Sequence, residues 1–165
     1  MLKVKRIIGN IFVNPDLAKE FESNAKNVNY KTVHVLRYDL EKTRLKQKTT
    51  DGTTIGIIID DNTKMTHGDV FSEGEVKILI QQMPEKTITV RLAGLEPTSL
   101  VLLGHIIGNL HRPVSLGGDS ISFPIHDEGE IDLFRTLFGD IKSKIELIIE
   151  DKIFQPHKSM NVHGH

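Results

Sequence analysis

KTITVRLAGLEPTSLVLLGHIIGNLHRP, residues 86–113, is the stretch whose reading decides the fold. Its first residues alternate β-branched and polar side chains, which predicts a strand. Past Glu96 the period lengthens. Apolar residues at 100, 103 and 107, and at 102, 106 and 110, recur at helical spacing behind Pro97, a residue suited to a first helical turn. Gly108 and Asn109 are good helix terminators and Arg112-Pro113 forbids continuation, so a strand and then a helix ending at His111 are expected.

Working outward, PVSL and SISFPI are joined by Gly117-Gly118-Asp119 as a short hairpin. GEIDLFRTLFG then carries one apolar stripe, Ile131, Phe134, Leu137 and Phe138, with Asp127, Glu128 and Glu130 at its start, where carboxylates favour the helix dipole. KIELIIED closes the series as a strand. The order β-α-β-β-α-β over 86–151 is the ferredoxin-like arrangement. Upstream of Met83-Pro84 the chain is strand-like: VHVLRY (33–38), TRLKQKTT (43–50), TIGIIID (54–60) and EVKILIQQ (75–82), punctuated by Asp51-Gly52, His67-Gly68-Asp69 and Glu73-Gly74. Only Pro15 to Phe21 reads as helix there. The expected class is α+β: a small all-β domain over 1–84, a ferredoxin-like domain over 85–152, and a mobile, histidine-containing tail over 153–165, where Pro and polar residues show no period.

Bulk composition excludes several functions. Lys and Arg (21) nearly balance Asp and Glu (22), leaving a formal charge of -1, so no strong field for nucleic acid or an acidic membrane follows. The absence of cysteine removes disulfides, thiolate metal sites and thiol catalysis together. The basic start MLKVKRIIGNIFVN is cut by Asn10 and Asn14 and closed by no small-residue cleavage site, and no apolar run nears the ~20 residues that span a bilayer. A cytoplasmic protein is expected. Walker, GxGxxG, HExxH and GxSxG motifs are absent, and DDNTK (60–64) lacks the Gly and distal Glu of a calcium loop. The chain offers no catalytic constellation, and a non-enzyme is expected.

Histidine is the compositional oddity. The eight stand at 34, 67, 105, 111, 126, 157, 163 and 165. His34 and His67 read as ordinary strand and turn residues, and His105 as a helix residue that is packed or solvated. His111 projects past a helix end. Two readings stand for it: a cation beside the last carbonyls, or an imidazole aimed outside the fold. One imidazole cannot hold a transition ion that needs four to six donors in typical sites. A two-fold axis would double it, and a tail would add more rings. Such a nitrogen-rich, open site suits nickel, copper or zinc over calcium or magnesium.

GNLH at 108–111 resembles the GNRH of the UreE-type urease accessory proteins, cytoplasmic nickel chaperones, at the end of the first helix of their ferredoxin-like domain. DLEKTRLKQKTTDGTTIGI (39–57) followed by THGD (66–69) is similar to that family's β-domain, which shows an Arg-rich strand, a T-x-D-G-x-x-I-G turn and strand, and a Gly-Asp turn. The likeness is collinear over nearly the whole chain. It implies a homodimer in which His111 of both subunits ligates one nickel ion near the axis, with His157, His163 and His165 of the tail completing the shell; zinc or copper would also fit in vitro. It implies further that the first domain faces the urease apoprotein or the GTPase of the maturation complex. The chain departs from the family at Leu110, which replaces the usual Arg, and in a tail poorer in histidine. At the place of a histidine pair found in some members, His126 remains and Glu128 stands where the second would be, so a secondary metal site there is in doubt. The alternative function is a protein-binding scaffold with no metal role.

Overall fold

The computed structural model describes residues 1–157 of the chain. The class is α+β, and the chain divides into two compact units, Met1–Met83 and Pro84 onward.

In the first unit, β1 (Leu2–Val4) pairs in parallel with β5 (Thr54–Ile58), which pairs antiparallel with β4 (Arg44–Lys48). Asp51-Gly52 makes the β4–β5 turn, with Gly52 at φ +86°, a value that suits glycine. A second sheet has the order β2 (Arg6–Asn10), β6 (Asp69–Glu73), β7 (Val76–Gln82) and β3 (Tyr30–Val35), with β3 and β7 parallel. Val4, Val33, Val35, Ile55, Ile57, Phe71, Ile78 and Ile80 share the main core. Strand alternation sends Val70 and Leu79 to the other face, where Leu17 of α1 (Pro15–Ser23) covers them. Asn14 caps that helix through Oδ1, which accepts the Asp16 and Leu17 amides at 3.1 and 3.2 Å.

The second unit runs β8 (Glu85–Arg91), α2 (Pro97–Asn109), β9 (Ser115–Leu116), β10 (Ser120–Pro124), α3 (Glu130–Leu137), a 3-10 helix at Gly139–Lys144, and β11 (Leu147–Lys152). Its sheet has the order β11-β8-β10-β9 with every pair antiparallel. Ile88 and Val90 of β8 face Leu103 and Ile107 of α2 and Phe134 of α3 in one core. On the sheet's other face Thr89 Oγ1 and Ser122 Oγ lie 2.8 Å apart, and Lys152 Nζ donates to Ser122 Oγ at 2.8 Å.

The segment after β11, expected to be mobile from residue 153, begins with fixed structure. Phe154 is fully buried, and the His157 amide donates to the Val114 carbonyl at 2.8 Å. One large aromatic buries enough apolar surface to hold a short segment that has no period of its own. Residues 158–165, including His163 and His165, lie outside the described residues.

Candidate metal centre

α2 stops where Gly108 and Asn109 signal its end. It runs through Asn109, Leu110 caps it, and the residue that turns left-handed is His111, at φ +51°. The His111 amide donates to the Gly108 carbonyl at 3.0 Å, closing the helix as a C′ glycine commonly does. Outside glycine this conformation costs about 1–2 kcal/mol, and histidine is among the residues found there more often than most. The His111 ring is exposed.

The turn is tied down on its far side. Pro113 restricts Arg112 to extended backbone. The Arg112 guanidinium donates through Nη2 to Glu130 Oε1 at 2.6 Å and through Nη1 to the Pro124 carbonyl at 3.3 Å. Glu130 Oε2 accepts the His126 amide at 2.8 Å. Burial pushes the Glu130 carboxyl up, but the His126 amide and the Arg112 hydrogen bond and charge outweigh it and hold that carboxyl below the usual range. Val114, three residues past His111, is the carbonyl that receives the His157 amide. The segments bearing His111, His126 and His157 are thus fastened to one another through backbone and the Arg112–Glu130 pair. Sequence reading treated Arg112 only as a helix stop and Glu130 only as a dipole partner; a pairing across 18 positions leaves no local signal.

The remaining histidines are placed as follows. His105 is exposed on α2 with Nε2 3.0 Å from Asn109 Nδ2. His34 is exposed on β3. His67 is half-buried: its Nδ1 accepts the Gln82 amide at 3.0 Å, its ring packs 4.9 Å from that of Phe12, and burial holds its pKa down. Glu128, where a second histidine would stand, is ion-paired with Lys86. Among the described residues no group of three or more His, Cys, Asp or Glu side chains is arranged to hold a metal ion. Of the four ligands expected from the sequence, His111 and His157 are on neighbouring segments, and His163 and His165 are not among the described residues.

The second unit also leaves apolar surface uncovered. Val101 is 73% exposed, and Leu100 and Leu102 are 38% and 42% exposed. A Cβ built on Gly104 or Gly108 would meet nothing within 4 Å. Among the described residues no helix is long and apolar enough to cross a membrane.

No family model matches the chain. Among curated proteins it is 24% identical over 135 residues to the urease accessory protein UreE of Natronomonas pharaonis, covering 79% of this chain and 63% of that protein. It is 23% identical over 135 residues to UreE of Yersinia rohdei, covering 76% and 58%, and 25% identical over 121 residues to UreE of Yersinia pestis strain Pestoides F, covering 67% and 51%. The chain therefore spans between about half and two thirds of the length of these relatives. These relatives are accessory proteins and not enzymes, in agreement with the non-enzyme expected from the sequence. The resemblance read from GNLH and from the 39–57 and 66–69 motifs is borne out at the level of the family, the UreE-type urease accessory proteins.

Proposed function

We propose that this protein is a cytoplasmic nickel metallochaperone for urease maturation, working as a homodimer that holds one Ni(II) between the His111 rings of its two subunits. The observation that carries the reading is His111 itself, an exposed imidazole kept in a left-handed conformation that glycine would adopt with less strain. Strain retained at a solvent-facing ring is a signature of function. The uncovered face of α2 supports the pairing of chains. Val101 is apolar and exposed, Gly104 and Gly108 at helical spacing on the same face leave room for close approach, and the partly exposed Leu100 and Leu102 flank it on either side. A two-fold contact centred on the C-terminal turns of α2, around Gly108, would bring the two helix ends, and so both imidazoles, to one axis.

The strand order of the second unit supports its reading as a ferredoxin-like domain over 85–152, following the β domain over 1–84. Two imidazoles leave a transition ion short of donors, and tail residues His157, His163 and His165 would complete the shell. The His157 amide on the Val114 carbonyl starts that tail beside the His111 turn. Imidazole donors accept zinc or copper as well, so selectivity would come from the partners, the urease apoprotein and the GTPase of its maturation complex, for which the first unit supplies a face.

Nickel titration by calorimetry, with the mass in solution followed by light scattering, tests the proposal. One high-affinity ion per two chains is expected, with uptake falling in acid, where protons compete with the ion for the ring nitrogens. A His111→Ala protein that bound nickel as tightly as the parent would overturn it.

A further inference from the structure

The outer face of the β1-β5-β4 sheet carries cations without partners. Register places Lys3 opposite Gly56 and Gly56 opposite Lys46, while Arg44 stands beside Ile58 and Lys48 beside Thr54. With strands ~4.8 Å apart, the Lys3 side and the Arg44–Lys46–Lys48 side flank a trough roughly 10 Å across. Its floor is the narrow column Thr54, Gly56 and Ile58. All four cations are exposed. Among the described residues none of the four forms an ion pair, although Lys31, Lys42 and Lys77 of the same unit each have a carboxylate partner. The mapped positions of this face hold no acidic residue, in a chain where acids outnumber Lys and Arg.

A merely solvated face would carry side chains at every outward position of its central strand, because glycine inside a strand is destabilising by roughly 0.5–1 kcal/mol. Such a glycine marks the close approach of another group. Here the Met1 side chain lies over it, with Cε and Sδ 3.4 and 3.6 Å from where a Cβ would sit. Met1 is itself 69% exposed and the Lys3 Cγ lies 3.9 Å from the same point, so two flexible side chains, a thioether and a lysine stem, cover this floor.

We infer that this trough is a docking surface for an extended acidic polypeptide segment, whose backbone lies over Gly56 after displacing Met1 and whose carboxylates reach Lys3 on one side and Arg44, Lys46 and Lys48 on the other. Charge complementarity selects an acidic occupant. The lack of an aromatic side chain on the face selects protein over single-stranded nucleic acid, which is held by base stacking as well as charge. The inference does not depend on the metal reading.

The test is fluorescence anisotropy of a labelled ten-residue peptide of alternating Glu and Ala, titrated with the full chain at low salt. Saturable binding that weakens as salt rises is expected. Lys3→Glu with Lys46→Glu should lower affinity at least tenfold, whereas Lys19→Glu with Lys26→Glu, an equal charge change on and just after α1, should alter it by no more than twofold. Gly56→Val fills the floor at constant charge and should lower affinity at least threefold; each variant is checked by its melting curve. The inference is overturned if the peptide does not bind, if the two double variants weaken it equally, if Gly56→Val has no effect, or if a thymidine decamer binds more tightly than the peptide. Should Gly56→Val not fold, the comparison of the two double variants still decides.

Discussion

Replacing Glu130 by alanine removes the carboxylate that links the His111 turn to α3. The Arg112 and Glu130 side chains are 15% and 16% exposed, so the pair lies between two measured regimes. Exposed pairs are worth about 0–1 kcal/mol, and breaking a fully buried pair costs about 3–5 kcal/mol. A loss of about 2 kcal/mol is expected for the second unit. For a unit of this size, that lowers its melting temperature by about 8–16 °C. The assay separates the two units without dissecting them. Both tyrosines, Tyr30 and Tyr38, belong to the first unit, so tyrosine fluorescence follows that unit alone while far-ultraviolet circular dichroism follows both. The dichroism transition should shift and the tyrosine transition should not. The pH dependence supplies a sign. Because the folded Glu130 carboxyl titrates below its unfolded value, its stabilisation is present above roughly pH 4.3 and is lost as pH falls through the folded pKa. The gap between parent and Glu130→Ala should therefore close in acid. An unchanged dichroism melt at neutral pH, or a gap that persists undiminished at pH 2, would refute the reasoning.

Other outcomes follow from the same geometry. His111→Gly should raise the stability of the second unit by about 1 kcal/mol, since glycine takes a positive φ without strain, while abolishing tight nickel binding; denaturant unfolding and calorimetry read the two effects separately. His67 is held below its unfolded pKa by burial, so the first unit should lose stability as pH falls below roughly 6.5; His67→Asn, which keeps an acceptor for the Gln82 amide but does not titrate, should flatten that slope in tyrosine-monitored unfolding. Ending the chain after His157 removes His163 and His165 and should weaken nickel binding without changing the mass of the assembly in solution.

Much of the architecture was legible because its signals are local. Asp51-Gly52 marks a hairpin, Pro97 opens a helix, and Ile131, Phe134 and Phe138 of the expected stripe are packed in the core, whereas Leu137 of the same stripe is exposed. β1, β2 and β6 were not read as strands. They are three to five residues long, and β6 sits between two glycine turns, so no period develops. The parallel pairs β1–β5 and β3–β7 join residues some fifty positions apart, where register is set by core packing and not by a turn. At the candidate site His111 was legible as a helix end, but its left-handed backbone was not, because Gly108 and Asn109 carry the stronger local stop signals. Arg112–Glu130 and the burial of Phe154 are tertiary, and a reading of neighbours in sequence does not reach them.

Native mass spectrometry of the full chain after exposure to limiting nickel puts the central claim to its simplest trial. The account predicts a two-chain species carrying one nickel ion, absent from His111→Gly. Nickel on single chains, or one ion for every chain in the dimer, would contradict it.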